Sequence, residues 1–86
     1  MENKHSYEKT RDILLENMNR LMTERNLTPR GMSLKMDMNE WYITRILDKK
    51  KDPSFKMICK IATVLRVSVA DLLTKKEVNK HTLIKS

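Results

Sequence analysis

The sequence predicts a compact, all-α domain built from five short helices. Its 86 residues leave room for one folded unit, and 40% hydrophobic residues with one Gly and two Pro favour helices over disorder or strands. Apolar side chains recur at helical spacing, and polar capping residues separate the recurring segments. We expect residues 10–75 to form the domain. Residues 1–9 are then a flexible segment or the start of helix 1, and residues 76–86 a tail that serves dimerisation or is disordered.

Helix 1 is expected to begin between Ser6 and Thr10 and to end around Arg25. Its inner face is marked by Leu14, Met18, Leu21 and Met22. Asn26 follows as a helix stop, because asparagine tolerates the left-handed backbone conformation.

Helices 2 and 3 are predicted to be short and closely joined. Thr28 fits an N-cap and Pro29 the first helical position, where a missing N–H leaves no hydrogen bond unmade. The inward side chains of helix 2 are Met32, Ser33 and Met36. Asp37 ends this helix, and Asn39 is the N-cap candidate for helix 3, which continues to Leu47.

Helices 4 and 5 have the clearest local signals. Ser54 caps helix 4, whose apolar stripe consists of Ile58, Ile61, Ala62 and Leu65. Ser68 and Asp71 have the spacing of a capping box, which opens helix 5 through Leu72 and Leu73.

The pairing of helices 2 and 3 predicts a helix-turn-helix. The two helices are too short to be stable alone and are joined by about three residues, and the second helix of such a unit lies in the DNA major groove. Ser33 supplies the small residue that a close helix crossing needs, and Asp37 can adopt the positive φ of the turn. The outward face of helix 39–47 would then contact base edges through Asn39, Glu40, Trp41, Thr44 and Arg45.

A gapless series of positions between Leu14 and Leu73 forms a recognisable pattern. It includes Met32-Ser33, Ile43-Thr44-Arg45-Ile46, Pro53-Ser54 and Ile61-Ala62, and its most specific piece runs from Leu65 to Leu73. On these positions the chain resembles the lambda-repressor-like DNA-binding domains of the Cro/repressor or xenobiotic-response-element type. The resemblance implies a five-helix fold, operator binding as a dimer and a role in transcriptional control.

Several positions depart from the usual pattern of that family. Pro29 stands where a Gln often holds a phosphate, and Arg30 stands at a commonly acidic position, where its charge could replace that contact. Asp37 and Arg66 stand where glycine is usual. Gly31 lies inside helix 2, where it destabilises the helix by roughly 1 kcal/mol relative to Ala.

The candidate base contacts have alternatives. Arg45 can hydrogen-bond both acceptors of a guanine or pair with Asp48 on the helix surface. Glu40 can accept from cytosine N4 or stabilise the positive end of the helix dipole. Trp41 can touch a thymine methyl group or a sugar, contact a partner protein, or pack half-buried.

Seven residues are candidate phosphate contacts: Thr28, Arg30, Lys35, Tyr42, Lys49, Lys50 and Lys51. The three consecutive lysines follow the helix that would enter the groove, where the resemblance places a loop near the DNA backbone. Tyr42 is expected on the flank of that helix, with its hydroxyl directed at a phosphate or at water. The formal charge of +7, from 18 Lys and Arg against 11 Asp and Glu, suits a polyanionic partner.

Other function classes find little support. Cys59 with two distant histidines, His5 and His81, lacks the ligands of a zinc site, so no metal or other cofactor is expected. A single cysteine excludes an internal disulfide and suits a reducing cytoplasm, and no apolar run reaches the roughly 20 residues of a membrane span. A substrate pocket is hard to build at this size, so we expect no enzyme.

The leading hypothesis is a sequence-specific regulator, in the role of a repressor, that binds double-stranded DNA. Its homodimer would bind half-sites roughly 34 Å apart and would use helix 5 and the tail, where the apolar residues are Val78, Leu83 and Ile84. The alternative is a protein-interaction module or an antitoxin that keeps the fold with weak or no operator recognition. Its partner would contact Trp41 or the C-terminal tail.

Overall fold

The computed structural model describes residues 2–76, with side chains from residue 6 onward, as five α-helices. They are α1 (Glu2–Glu24), α2 (Pro29–Lys35), α3 (Tyr42–Leu47), α4 (Phe55–Leu65) and α5 (Val69–Leu73). No strand occurs in that range, and the predicted all-α class is confirmed. The expectations for residues 77–86 lie outside the described residues.

Helix α1 begins earlier than predicted, at Glu2 instead of between Ser6 and Thr10. Residues 2–9 contain no Pro or Gly that would end a helix, and their mostly polar side chains gave no apolar period to predict one. Of the two alternatives for this segment, the structure therefore has the start of the helix. The buried face of α1 consists of Leu14, Leu15, Met18, Leu21 and Met22.

The predicted caps of α2, α4 and α5 and the predicted left-handed residues after α1, α2 and α4 are confirmed. The capping side chains are Thr28 for α2, Ser54 for α4 and Ser68 for α5. Each accepts a hydrogen bond from the backbone N–H three residues later, at 2.9 to 3.2 Å. The residues with positive φ at the predicted stops are Asn26 (56°), Asp37 (59°) and Arg66 (62°). Local chemistry thus sets most of the helix boundaries.

Helix α3 is shorter than the predicted 39–47 helix, because it begins at Tyr42. Asn39 closes a turn ahead of it instead of capping it: its Oδ1 accepts the Trp41 N–H at 2.8 Å, and its carbonyl accepts the Tyr42 N–H at 2.9 Å. The segment between α2 and α3 consequently spans residues 36–41. The expectation of about three joining residues was wrong.

The core gathers side chains from all five helices. Its fully buried members include Met18, Met32, Ile43, Ile46, Ile61, Leu65 and Leu72. Asn17 is a buried polar residue of α1, and its Nδ2 donates to the carbonyls of Leu72 (2.7 Å) and Thr74 (3.0 Å). This side chain therefore fastens the end of α5 to α1, a tie that the sequence pattern did not indicate.

Candidate nucleic-acid interface

The buried hydroxyl of Ser33 joins α2 to α3. Ser33 Oγ donates to the Pro29 carbonyl at 2.8 Å and accepts the Ile43 N–H at 3.0 Å. Since the first N–H groups of a helix lack partners within the helix, this oxygen satisfies a donor of α3 that would otherwise be buried without one. The bond sets the position of α3 against α2.

Helix α3 and the turn before it present two different sides. Ile43 and Ile46 are fully buried, whereas Trp41 is 54% exposed and Arg45 is exposed. Trp41 and Arg45 are four positions apart and therefore share a side. We define the outward surface of α3 as the five predicted base-contact residues, Asn39, Glu40, Trp41, Thr44 and Arg45. Glu40 and Thr44 are half-buried, and the other three residues are exposed.

An ion pair links the start of α2 to the turn before α3. Arg30 Nε donates to Glu40 Oε1 at 2.7 Å, with the Arg30 side chain exposed and the Glu40 side chain half-buried. The sequence indicated a role for each residue separately, but nothing in the spacing of residues ten positions apart predicted this contact. Arg45 forms no ion pair with Asp48 among the described side chains.

The three consecutive lysines have different surroundings. Lys49 adopts a φ of 63°, and its Nζ lies 3.1 Å from an Asp12 carboxylate oxygen on α1. Lys50 is exposed and has no ion-pair partner among the described side chains. The Lys51 ammonium lies 6.0 Å from the centre of the Tyr42 ring. Of the three lysines, Lys49 is therefore held in an ion pair with α1, whereas Lys50 and Lys51 are exposed.

Comparison with known proteins places this geometry in a family. A family model described as helix-turn-helix matches residues 18–72. The chain belongs to this helix-turn-helix family. The predicted resemblance is thereby confirmed, and the family assignment supports a DNA-binding regulator.

The helix-turn-helix fold also has a counterpart among solved structures. The crystal structure of a hypothetical transcription factor, NHTF, from Neisseria superposes with a TM-score of 0.72 at 18% sequence identity. The alignment covers 90% of this chain and 85% of that chain. At that identity the likeness shows the fold alone. No curated protein matches the chain.

Tyr42 is buried in the helix-turn-helix, not on the open helix flank predicted from the sequence. It was expected on an open helix flank, yet it is only 5% exposed and belongs to the core. Tyr42 is a buried residue of the first turn of α3, and burial raises the pKa of its hydroxyl. That expectation was wrong, and we do not retain Tyr42 as a phosphate contact.

Lys35 is also separated from the other candidate residues. At about 100° per residue, Lys35 lies about 140° around α2 from Arg30. It lines a groove against α4 together with Lys56 and Lys60. The structure thus does not bring Lys35 together with the Arg30–Glu40 pair.

Gly31 donates its backbone N–H to Thr28 Oγ1, the atom that caps α2. A Cβ at this position would lie 3.0 Å from that oxygen, which is a tight contact. The cap itself does not require glycine, because Met57 and Asp71 make the equivalent hydrogen bonds to Ser54 and Ser68.

Among residues 2–76, no group of His, Cys, Asp and Glu side chains is arranged to hold a metal ion. None of the helices in that range combines the length and apolar character needed to cross a bilayer.

Proposed function

We propose that the chain is a sequence-specific DNA-binding repressor that inserts α3 into the major groove of double-stranded DNA and catalyses no reaction. One observation carries this proposal: Ile43 and Ile46 anchor one side of α3 in the core, while Arg45 and the N-cap residue Trp41 are exposed on the other side. A helix held rigidly on one side can present its other side to base edges.

The outward surface of α3 would supply the base contacts. Arg45 has the paired donors that suit guanine O6 and N7, and Glu40 has a second carboxylate oxygen that can accept from cytosine N4. Asn39 uses its Oδ1 in the turn, which leaves its amide N–H groups to donate to a base. Thr44 and Trp41 offer apolar groups to a thymine methyl.

Residues beside the outward surface would supply the phosphate contacts. Lys50 and Lys51 are exposed, and Arg30 has guanidinium N–H groups besides the Nε that bonds Glu40. The hydroxyl of Thr28 can donate to a phosphate while it accepts from α2. Lys49 would exchange Asp12 for a phosphate, since an exposed ion pair is worth at most about 1 kcal/mol.

A homodimer completes the proposal. A domain of this size buries limited surface on DNA, so two copies related by a two-fold axis would bind half-sites roughly 34 Å apart. Sedimentation of the complex with a selected duplex measures the number of chains bound. Two chains per palindromic site are expected, and one chain per site would contradict the dimer.

Selection of binding sites from random duplex DNA at two salt concentrations tests the proposal directly. We expect a palindromic consensus, with an affinity that falls steeply with salt because each neutralised phosphate contributes a slope of about −0.9 in log units. A double variant, Arg45→Ala with Lys50→Ala, should lose both consensus bases and salt slope. Retention that is weak and independent of sequence would refute the proposal.

Exposed apolar side chains favour a second candidate, a protein-interaction module or antitoxin with this fold. Trp41 and Leu34 are both more than half exposed and lie on the two helices of the helix-turn-helix or at their start. Glu40→Ala distinguishes the candidates, with Glu16→Ala on the exposed side of α1 as the matched control. If Glu40 contacts a base, Glu40→Ala changes the consensus sequence. If the chain is an interaction module, Glu40→Ala leaves the affinity for DNA unchanged or raises it equally for all sequences.

A further inference from the structure

A groove separate from the outward surface of α3 runs between the end of α2 and one side of α4. Its volume is about 360 Å³, and we call it the α2–α4 groove. The residues that matter for its chemistry are Lys35, Met36, Lys56, Cys59, Lys60 and Val64. DNA binding as proposed above uses none of them.

The position of the groove follows from helical geometry. On α4, Lys56, Cys59 and Lys60 occupy positions i, i+3 and i+4, and so form one stripe beside the buried stripe of Ile61 and Leu65. On α2, Lys35 is turned about 140° away from the Arg30 side. Two neighbouring helices therefore aim three lysines at one depression.

The groove carries a net positive charge. Its three lysines, like Arg45 and Lys50, form no ion pair with a described side chain. The one acidic residue that lines the groove is Asp37, which leaves the lining with a formal charge of +2. An anionic ligand would be attracted to this site.

The floor of the groove is apolar. Among its lining residues, Met36 is buried, and Val64 and Cys59 are half-buried. A DNA backbone offers phosphates but no apolar side chain to cover such a floor. An acidic peptide offers both, because carboxylates and aliphatic side chains can alternate along one chain.

We propose that the α2–α4 groove binds an acidic peptide segment of a partner protein. An aliphatic side chain of the peptide covers Met36 and Val64, and its carboxylates pair with Lys35, Lys56 and Lys60. The site goes beyond DNA binding, because its lining shares no residue with the base and phosphate contacts proposed above.

Fluorescence anisotropy of the full chain with a labelled peptide of interspersed Glu and Leu tests the proposal. The groove variant is Lys56→Glu with Lys60→Glu. The control variant, Lys9→Glu with Lys75→Glu, changes two exposed lysines elsewhere and has the same net charge. The groove variant should bind the peptide about tenfold more weakly than the control, and replacing the leucines by serine should weaken binding to the unchanged chain about tenfold.

Three results would overturn the proposal. Equal peptide affinity of the two variants would show that the groove lysines do not bind the peptide. Equal affinity for the leucine and serine peptides would show that the apolar floor does not contribute to binding. If the groove variant loses more affinity for duplex DNA than the control variant does, the groove lysines bind DNA phosphates and not a peptide. Circular dichroism of both variants establishes that each retains the helical fold.

Discussion

Ser33→Ala tests whether one hydroxyl holds α3 in place. The substitution removes a single oxygen from a fully buried side chain, so the change in volume is small and the hydrogen bonds carry the effect. Two bonds disappear: the 2.8 Å donation to Pro29 and the 3.0 Å acceptance from Ile43. The Pro29 carbonyl faces its own helix, but the Ile43 N–H is left buried without an acceptor.

The expected loss follows from that unsatisfied donor. Leaving a buried N–H without a partner costs about 1–3 kcal/mol, so we expect the free energy of unfolding to fall by about 2 kcal/mol. For a domain of this size each kcal/mol corresponds to a Tm change of roughly 4–8 °C. The predicted fall in Tm is therefore about 8–16 °C.

Thr63→Ala is the matched control. Thr63 Oγ1 donates to the Cys59 carbonyl four residues earlier, as Ser33 does to Pro29, but it is exposed and accepts nothing from another helix. Its free energy of unfolding should change by no more than about 0.5 kcal/mol. Urea denaturation of both variants gives the comparison. If Ser33→Ala loses no more stability than Thr63→Ala, the hydroxyl is not what joins α2 to α3.

Three further variants test the helix ends. Asn17→Ala removes the amide that donates to the carbonyls of Leu72 and Thr74 at the end of α5. The free energy of unfolding, measured by urea denaturation, should fall by about 2–3 kcal/mol. Arg66→Gly relieves a left-handed residue at φ 62° and should raise it by about 0.5–1 kcal/mol. For Asp71, hydrogen bonds from Ser68 lower the carboxyl pKa, so the folded state binds fewer protons and acid favours unfolding. The Tm difference between wild type and Asp71→Asn should therefore shrink as the pH falls through the lowered pKa.

Each of these has an outcome that contradicts it. Unchanged stability for Asn17→Ala would mean that water replaces the amide at α5. A destabilised Arg66→Gly would mean that the arginine side chain contributes more than its backbone strain removes. If the Tm difference between wild type and Asp71→Asn stays constant from neutral to acid pH, protonation of Asp71 does not contribute to unfolding by acid.

Most of the fold could be predicted because its boundaries depend on local chemistry. Thr28, Ser54 and Ser68 cap helices through their own side chains, and these bonds span three residues. Asn26 and Arg66 end helices by adopting positive φ. The start of α3 escaped prediction because Asn39 can cap a helix or close a turn with the same oxygen, and the choice depends on packing around it.

The candidate site could be predicted only in part. Trp41, the N-cap of α3, and Arg45 share an exposed side because they are four positions apart, one helical turn. Tyr42 was misplaced because a six-residue helix carries too few apolar residues to define its inner side from the pattern alone. The Arg30–Glu40 pair depends on the angle between two helices, for which spacing along the chain has no signal.

The sequence by itself determined the five helices, the caps of α2, α4 and α5, the basic charge and the family, because each depends on residues close together in the chain or on the overall composition. Only the tertiary structure decided which charges pair. Asp12 holds Lys49 and Glu40 holds Arg30, while Lys35, Lys56 and Lys60 gather unpaired around one groove. The physical reason is that an ion pair forms within about 4 Å in space, and side chains from different helices come that close only after the core has set the crossing of those helices.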